Sequence, residues 1–462
     1  MDLSRLQLYR NPILIALSCL AFYFTFAYNL DRTDFIKLIA LYGALFFLSF
    51  KLIQMQRQNF WFLAGLALLF RLVFLVSLPE LSQDYFRFIW DGRLIANGWN
   101  PYGFVPDELI LKSNFTIPQA TELITGMGSL SSGHYSNYAP LNQLVFAIAG
   151  WFSEKSIVGA VMIFRLFIIL ADLGILFFGR KLLKALRLPE HRIFWYLLNP
   201  FIIIEMTGNL HFESVMVFFL LLSIYLLHKG KWFLSSVVLG LSISIKLLPL
   251  MFLPLLFKYF HRDKTLEISH PERSRRIGSL GKLLAYYLIC IGTVLLSFLP
   301  FYSAEVISNF MASVGLWFGK FEFNASLYYL VRWVGFQVKG YNIIETAGKI
   351  LPVITILIIL ALAFFRKYRS TKQLITNMLF AITAYLLLST TVHPWYLAIP
   401  LMLSVFTDYR YMIAWTALVM LSYFAYSNPD YQESFYLIAL EYIIVFGFLI
   451  KELLASRHRV LN

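Results

Sequence analysis

Charge is scarce in this sequence, and its scarcity excludes more than any motif does. Only 14% of the 462 residues are Asp, Glu, Lys or Arg, against about 25% in an ordinary soluble domain, so water is not the main solvent of the chain. Cysteine is nearly absent: Cys19 and Cys290 each sit inside an apolar run, which excludes a disulfide framework and a cysteine-based zinc site. Acidic residues are fewer than basic ones, 25 against 39, and the formal net charge is +14. In a soluble protein that excess would suggest nucleic acid. Here the basic residues fall in short segments between apolar runs, where they set orientation across a bilayer, and no nucleic-acid partner is expected. The sequence also lacks a Gly-rich phosphate loop, His/Cys pairs at metal-binding spacing, a Ser-His-Asp pattern and any long internal repeat.

What is present is apolar. Hydrophobic residues make up 59% of the chain and mean hydropathy is +0.70. In lipid only helices or closed barrels satisfy every backbone N–H and C=O, and long runs without two-residue alternation point to helices. The expected fold class is an all-α polytopic membrane protein. About fourteen transmembrane helices are expected, at 13–28, 35–50, 59–78, 157–179, 193–207, 212–227, 232–245, 247–257, 283–300, 350–365, 374–390, 395–406, 411–426 and 435–450. The 45 Phe and 27 Tyr residues suit bulky faces toward lipid and rings at headgroup level. The opening residues MDLSRLQLYRNP lead into a full apolar segment without a small-residue cleavage site, which reads as an uncleaved first helix.

The segment 141–153 has the length of a re-entrant or interfacial helix rather than a span. If it does not cross, about 26 Lys and Arg gather on one side against about 10 on the other. If it crosses, everything downstream inverts and the ratio reverses. The preferred threading places both termini in the cytoplasm. It places two large loops, 79–156 and 301–349, outside, with short turns near 208–212, 246, 391–395 and 427–434. The charge-dense stretch 261–276, HRDKTLEISHPERSRR, reads as a mobile cytoplasmic linker.

The polar chemistry collects on the outer face. In 82–103, SQDYFRFIWDGRLIANGWNPYG, a helix with Ser82 as N-cap and Gly98 just past its end puts Asp84, Arg87 and Asp91 on one face, as an interfacial helix with a charged stripe. Asp84 falls in the first turn, where the helix dipole favours an ionised carboxylate. The stretch 134–143, HYSNYAPLNQ, offers Tyr138 and Pro140 as walls. The turn 205–213, EMTGNLHFE, crowds Glu205, Asn209, His211 and Glu213 between two spans, at a depth where ionisable groups face a cavity or one another. Lys246 interrupts an apolar run, and an ammonium there is snorkelling, paired, or facing an anion such as a lipid phosphate. Lys320, Glu322, Asn324, Tyr328 and Arg332 form a polar and aromatic group in the second outer loop, and 389–396, STTVHPWY, places His393 beside an interfacial Trp. Arg165 and Asp172, seven residues apart on one helix, are expected to make a structural contact.

Taken in order, Q-D-Y-F-R-F-I-W-D-G-R-L, G-W-N-P-Y, Y-A-P-L-N-Q, L-N-P-F, G-N-L-H-F-E, S-I-S-I-K-L-L-P and V-H-P-W-Y resemble the motif succession of GT-C superfamily membrane glycosyltransferases. Within that superfamily the likeness is to bacterial polyprenol-phosphate-mannose-dependent mannosyltransferases and to the GPI mannosyltransferase I catalytic subunit. It runs over roughly residues 59 to 400.

The resemblance implies an inverting hexosyltransferase moving a hexose, mannose by family, from a polyprenyl-phosphate donor to an extracytoplasmic glycan or glycolipid acceptor. The setting it implies is a bacterial cytoplasmic membrane. It maps the acceptor-site acid onto Asp84, with Asp91 as a second catalytic candidate. Lys246, His393, Arg332 and His211 are the expected donor-phosphate ligands, and Arg87, Tyr138, Asn209, Glu213, Glu322 and Asn324 the expected pocket. No cofactor is fixed; Gln83-Asp84 stands where eukaryotic relatives carry a D-x-D pair, which leaves a divalent cation open. The implied domains are a helix pair at 1–58, a GT-C-like catalytic module at 59–300, the second outer loop at 301–349, and C-terminal transmembrane helices at 350–462. Two other classes fit a lipid-phosphate-sized polar face: a lipid-linked sugar flippase or transporter, and a polyprenyl-diphosphate-dependent ligase or polymerase.

Overall fold

The computed structural model describes residues 3–261, 272–366 and 370–461. The linker expected at 261–276 therefore lies largely outside the described residues. Within them the chain is helical, with no strand and a single isolated bridge between Phe323 and Thr391. Local chemistry starts several of these helices. Asp34, Ser156 and Ser370 each accept a hydrogen bond from a backbone N–H three residues on, at 3.1, 3.0 and 3.2 Å, closing the orphan donors of a first turn.

Among the described residues, six helices are long and apolar enough to cross a membrane: Arg10–Tyr28, Phe35–Gln56, Ile157–Ala185, Ser279–Phe301, Ile344–Phe364 and Thr371–Leu388. Their outward faces are apolar, as at Leu288, Leu295 and Leu296, where only lipid makes such exposure favourable. The chain is an integral membrane protein. The remaining apolar stretches differ from uniform spans. Phe60–Leu72, Pro140–Phe152, Trp232–Ile243, Leu248–Phe260, Pro394–Val405 and Tyr411–Ser427 are all short helices; 13 residues rise only about 20 Å against about 30 Å of hydrocarbon. Proline explains part of this: Pro249 and Pro254 hold Leu248–Leu255 in tight 3₁₀ turns.

The expected span 193–207 is likewise not one helix. Pro200–Gly208 runs into a π-helical turn and bends by 114° into Glu213–His228, through Leu210 in the left-handed region at φ +63°. A break at this depth frees carbonyls that lipid cannot satisfy. Arg165 satisfies two of them, donating to the carbonyls of Thr207 (2.8 Å) and Gly208 (3.0 Å), and the same guanidinium donates to those of Leu75 (3.0 Å) and Ser77 (2.8 Å) in the segment after Phe60–Leu72. The expected Arg165–Asp172 contact is therefore absent. Asp172 instead pairs at 2.7 Å with Arg71, because Arg165 is drawn to the carbonyls of the break.

Ile157–Ala185 has 29 residues, about 44 Å of rise, and separates two ends of the bundle. At one end Arg165 holds the break; at the other Arg180 and Lys184 pair with Glu190.

Candidate active site

The acidic helix occupies Asp84–Ala96, one residue later at its start than expected: Gln83 is the N-cap, and Ser82 Oγ accepts from the Asp84 N–H at 3.3 Å. It ends as the sequence implies, with Gly98 at φ +79°, a conformation that suits glycine. It does not lie on a surface as an interfacial helix. Nine of its 13 residues are buried, and it crosses the Pro140–Phe152 helix glycine to glycine. A Cβ on Gly92 would stand 2.1 Å from the Phe146 carbonyl oxygen, and one on Gly150 would stand 2.3 Å from that of Gly92. Only two glycines permit so close a backbone approach.

Burial turns the charged stripe inward. Asp91, fully buried, accepts from Arg87 Nε (2.9 Å), Ser136 Oγ (2.6 Å) and Gln143 Nε2 (2.8 Å). Arg87 also donates to the carbonyls of Ser131 (2.6 Å) and His134 (3.0 Å). Both side chains are thus committed to fastening the 131–143 segment to the helix. A carboxylate with three donors and no exposure is a structural anchor rather than a proton acceptor for substrate.

Asp84 differs in every respect. Its carboxylate is half-buried at the mouth of the helix, and among the described residues no hydrogen bond or ion pair is formed to it. Burial raises its pKa; the charges of His211 and Lys246 pull it back and that of Glu213 pushes it up. Tyr138 feels the Asp84 charge as well. Four groups named from three sequence segments therefore share the electrostatic neighbourhood of one carboxylate.

Each reaches the site through its own local structure. His211 and Glu213 are delivered by the broken helix. His211 Nδ1 lies 3.1 Å from Glu205 Oε2, and its ring stacks on Trp395 at 3.9 Å. Glu205 is held in turn by Tyr423 Oη (2.7 Å) and Asn209 Nδ2 (3.2 Å), so Asn209 orients that acid rather than lining the opening. Lys246 sits in the gap between Trp232–Ile243 and Leu248–Leu255. Its ammonium is ion-paired with Glu213 and lies 4.4 Å from the Tyr396 ring, so it is paired rather than snorkelling. The Y-A-P-L-N-Q segment docks on this gap: Leu141 N–H donates to Ser244 O (3.0 Å), and Asn142 Nδ2 to Ile245 O (2.6 Å).

His393 stacks on the other face of Trp395 at 4.4 Å, making a His211–Trp395–His393 sandwich. Burial, then the charges of Lys246 and His211, push its pKa down to about 3. At neutral pH it is an uncharged ring whose Nδ1 has no hydrogen-bond partner among the described residues, so it offers a hydrogen bond rather than the positive charge expected of it. The second loop roofs this sandwich. Phe323 N–H donates to Thr390 O (3.1 Å), Val392 N–H to Phe323 O (2.8 Å), and the Phe323 ring lies 5.2 Å from His393.

Arg332, Glu322 and Asn324 are not brought to Asp84. Arg332 pairs with Glu322 at 3.2 Å, and Glu322 accepts from Tyr328 Oη at 2.7 Å. Asn324, at φ +45°, takes Glu433 on its N–H (2.5 Å) and faces Glu441 (3.3 Å) with its Nδ2. These residues knit the loop to the C-terminal helix. Sequence reasoning did not single out Tyr396 and Tyr426, which share the electrostatic neighbourhood of Asp84. The position of Tyr396 within V-H-P-W-Y was a usable signal; Tyr426 offered none. Among the described residues no group of three or more His, Cys, Asp or Glu is arranged to hold a metal ion.

The same segments carry the likeness to known proteins. Residues 33–261 match a family described as alpha-(1->6)-mannopyranosyltransferase, N-terminal domain, and residues 205–452, more than half of the chain, match mannosyltransferase (PIG-M). The chain belongs to the PIG-M mannosyltransferase family. The two matches overlap over 205–261, the stretch bearing Glu205, His211, Glu213 and Lys246. Among curated relatives, alpha-(1->6)-mannopyranosyltransferase A of Mycobacterium tuberculosis is 22% identical over 345 residues, which cover 71% of this chain and 61% of that protein. Alpha-(1->6)-mannopyranosyltransferase B of Corynebacterium glutamicum is 26% identical over 157 residues, covering 34% of this chain and 25% of that one. The chain therefore spans less than two thirds of the length of the relatives it matches. As a family member of GT-C type, it carries the acidic helix inside the first match and the His211–Trp395–His393 sandwich inside the second.

Proposed function

We propose that the protein transfers a mannosyl residue from a polyprenyl-phosphate carrier to a hydroxyl of a glycan or glycolipid, with inversion at the anomeric carbon and with Asp84 as the base. The supporting observation is the Asp84 carboxylate: half-buried, without a hydrogen bond or ion pair among the described residues, and within the fields of His211 and Lys246. Its raised pKa makes it a stronger proton acceptor than a surface carboxylate.

In the proposed step the acceptor oxygen forms a bond to the anomeric carbon while its proton passes to Asp84. The bond from that carbon to the phosphate oxygen breaks on the opposite face, and the carrier leaves as a phosphate monoester. Negative charge grows on the phosphate, and Lys246 and His211 are the groups proposed to meet it. Lys246 exchanges part of its pairing with Glu213 for that interaction, while His393 contributes a neutral hydrogen bond. Phe321, Phe323 and Tyr396 keep water from competing with the acceptor. The Lys and Arg distribution supports an extracytoplasmic site and cytoplasmic termini, and the bacterial relatives support a bacterial inner membrane.

The test is purified protein with labelled polyprenyl-phosphate mannose, glucose or arabinose and a membrane extract as acceptor source. The reading expects product from the mannose donor. It expects Asp84→Asn to lower transfer by about 10² to 10⁴, the usual worth of a general base, while donor still binds. Turnover near wild type in that variant removes Asp84 from the role.

A further inference from the structure

A cavity also opens away from Asp84. A space of about 330 Å³ opens among Arg57, His191, Arg192, Trp195, Thr407 and Arg410. Three helices place it at the opposite end of the bundle. Phe35–Gln56 ends at Arg57, whereas its other end meets Phe424, close to Tyr426. Ile157–Ala185 runs from the Arg165 clamp down to the turn bearing His191. Thr371–Leu388 begins beside the Lys372–Asp408 pair and leads up to His393.

Three guanidiniums converge there with little to neutralise them. Arg192 donates to Thr407 O at 3.0 Å and stands 3.9 Å from Asp408, but Asp408 is closer to Lys372, at 2.7 Å. The nearby carboxylate of Glu452 accepts from the backbone N–H groups of Arg410 and Tyr411 at 3.0 and 3.1 Å. Among the described residues the guanidiniums of Arg57 and Arg410 have no ion pair. Both are exposed, and the charges of Arg192, Arg57 and Arg410 all act on His191. Like charges gathered around one cavity repel unless an anion occupies it. A guanidinium cluster matches the geometry of a phosphate group. The apolar wall of Ile53, Trp195, Val405 and Ile413, with the exposed Phe47 and Met55 on Phe35–Gln56, the helix that carries Ile53, suits the glycerol and upper acyl portion of a lipid.

We propose that this cavity is a second phosphate-binding site, distinct from the Asp84 centre, which receives the phosphate of an anionic membrane lipid. A soluble phosphate compound shares the recognising chemistry, so the test separates the two sources. Full-length protein is placed in nanodiscs of phosphatidylglycerol and phosphatidylcholine and released into native mass spectrometry. In parallel, detergent-solubilised protein is titrated with inorganic pyrophosphate and its melting temperature followed. The expected result is preferential retention of phosphatidylglycerol. In R57Q/R410Q, which removes two charges without breaking an ion pair, the lipid affinity falls about 25-fold, at about fivefold per cationic contact. Stabilisation by pyrophosphate that R57Q/R410Q abolishes, with no lipid preference, keeps the phosphate site and assigns it to a soluble ligand. Equal retention of both lipids together with no response to pyrophosphate, or a variant indistinguishable from wild type in both arms, overturns the proposal. Mannosyl transfer by R57Q/R410Q, measured with donor in detergent, is expected to match wild type, so failure of this site and failure of the Asp84 reading are told apart.

Discussion

Replacing Gly92 by alanine tests whether the helix crossing positions the catalytic base. The added Cβ would stand 2.1 Å from the Phe146 carbonyl oxygen, where real Cβ contacts are essentially never below 3.0 Å. The obstructing atom is backbone, so no rotamer change relieves it, and the two helices must separate by about 0.9 Å. Overpacking of this kind costs about 1 to 3 kcal/mol, which an integral membrane bundle of this size is expected to survive. The displacement is carried along the rigid Asp84–Ala96 helix to its first residue. A misplacement of about 1 Å in reacting geometry lowers turnover by about 10²-fold. The assay is initial-rate transfer from labelled polyprenyl-phosphate mannose, with folding monitored by size-exclusion profile and thermal unfolding in detergent. Gly43→Ala and Gly65→Ala, where an added Cβ meets nothing within 4 Å, are the controls. A folded Gly92→Ala protein with wild-type kcat would refute the argument that this crossing sets the position of Asp84.

Four further outcomes follow. Lys246→Met removes the cation nearest the expected phosphate and lowers kcat by about 10²- to 10³-fold. Lys246→Met with Glu213→Gln restores folding yield but not rate, which a purely structural ion pair would not do. Because burial raises the Asp84 pKa, the base is lost as pH falls through that raised value. Log kcat/KM should therefore show an acid limb above the range of an ordinary carboxylate, and a flat profile down to pH 4 would contradict the reading. Asp172→Asn leaves the buried Arg71 unpaired and costs about 3 to 5 kcal/mol in an unfolding titration, whereas joint replacement of both by apolar residues is milder. Arg332→Ala should retain most of its turnover, since its charge is taken up by Glu322 away from Asp84; a loss as deep as that of Lys246→Met would place it at the donor after all.

Much of the site was legible because membrane burial makes polar residues conspicuous. Lys246 interrupting an apolar run and four polar groups crowded into 205–213 stand out against a chain with 14% charge. What stayed hidden were the partners. Lys246 and Glu213 are 33 residues apart, and nothing in either segment names the other. Arg165 and Asp172 looked like a pair because helix periodicity puts them on one face, yet each is claimed from outside, by the carbonyls of the break and by Arg71. Asp84 and Asp91 were equal candidates by residue type and spacing. They diverge because the glycine crossing buries one among three donors and leaves the other at the mouth.

Sequence alone determined the solvent, the helical class, the basic asymmetry and the segments that bear the chemistry, since apolar run length and the cost of buried charge act locally along the chain. Tertiary structure alone decided which carboxylate is free, which cation faces it, and where the helices break short of a full span. Those outcomes depend on contacts between residues far apart in sequence, where backbone approach at a glycine or the needs of an unpaired carbonyl outweigh local preference.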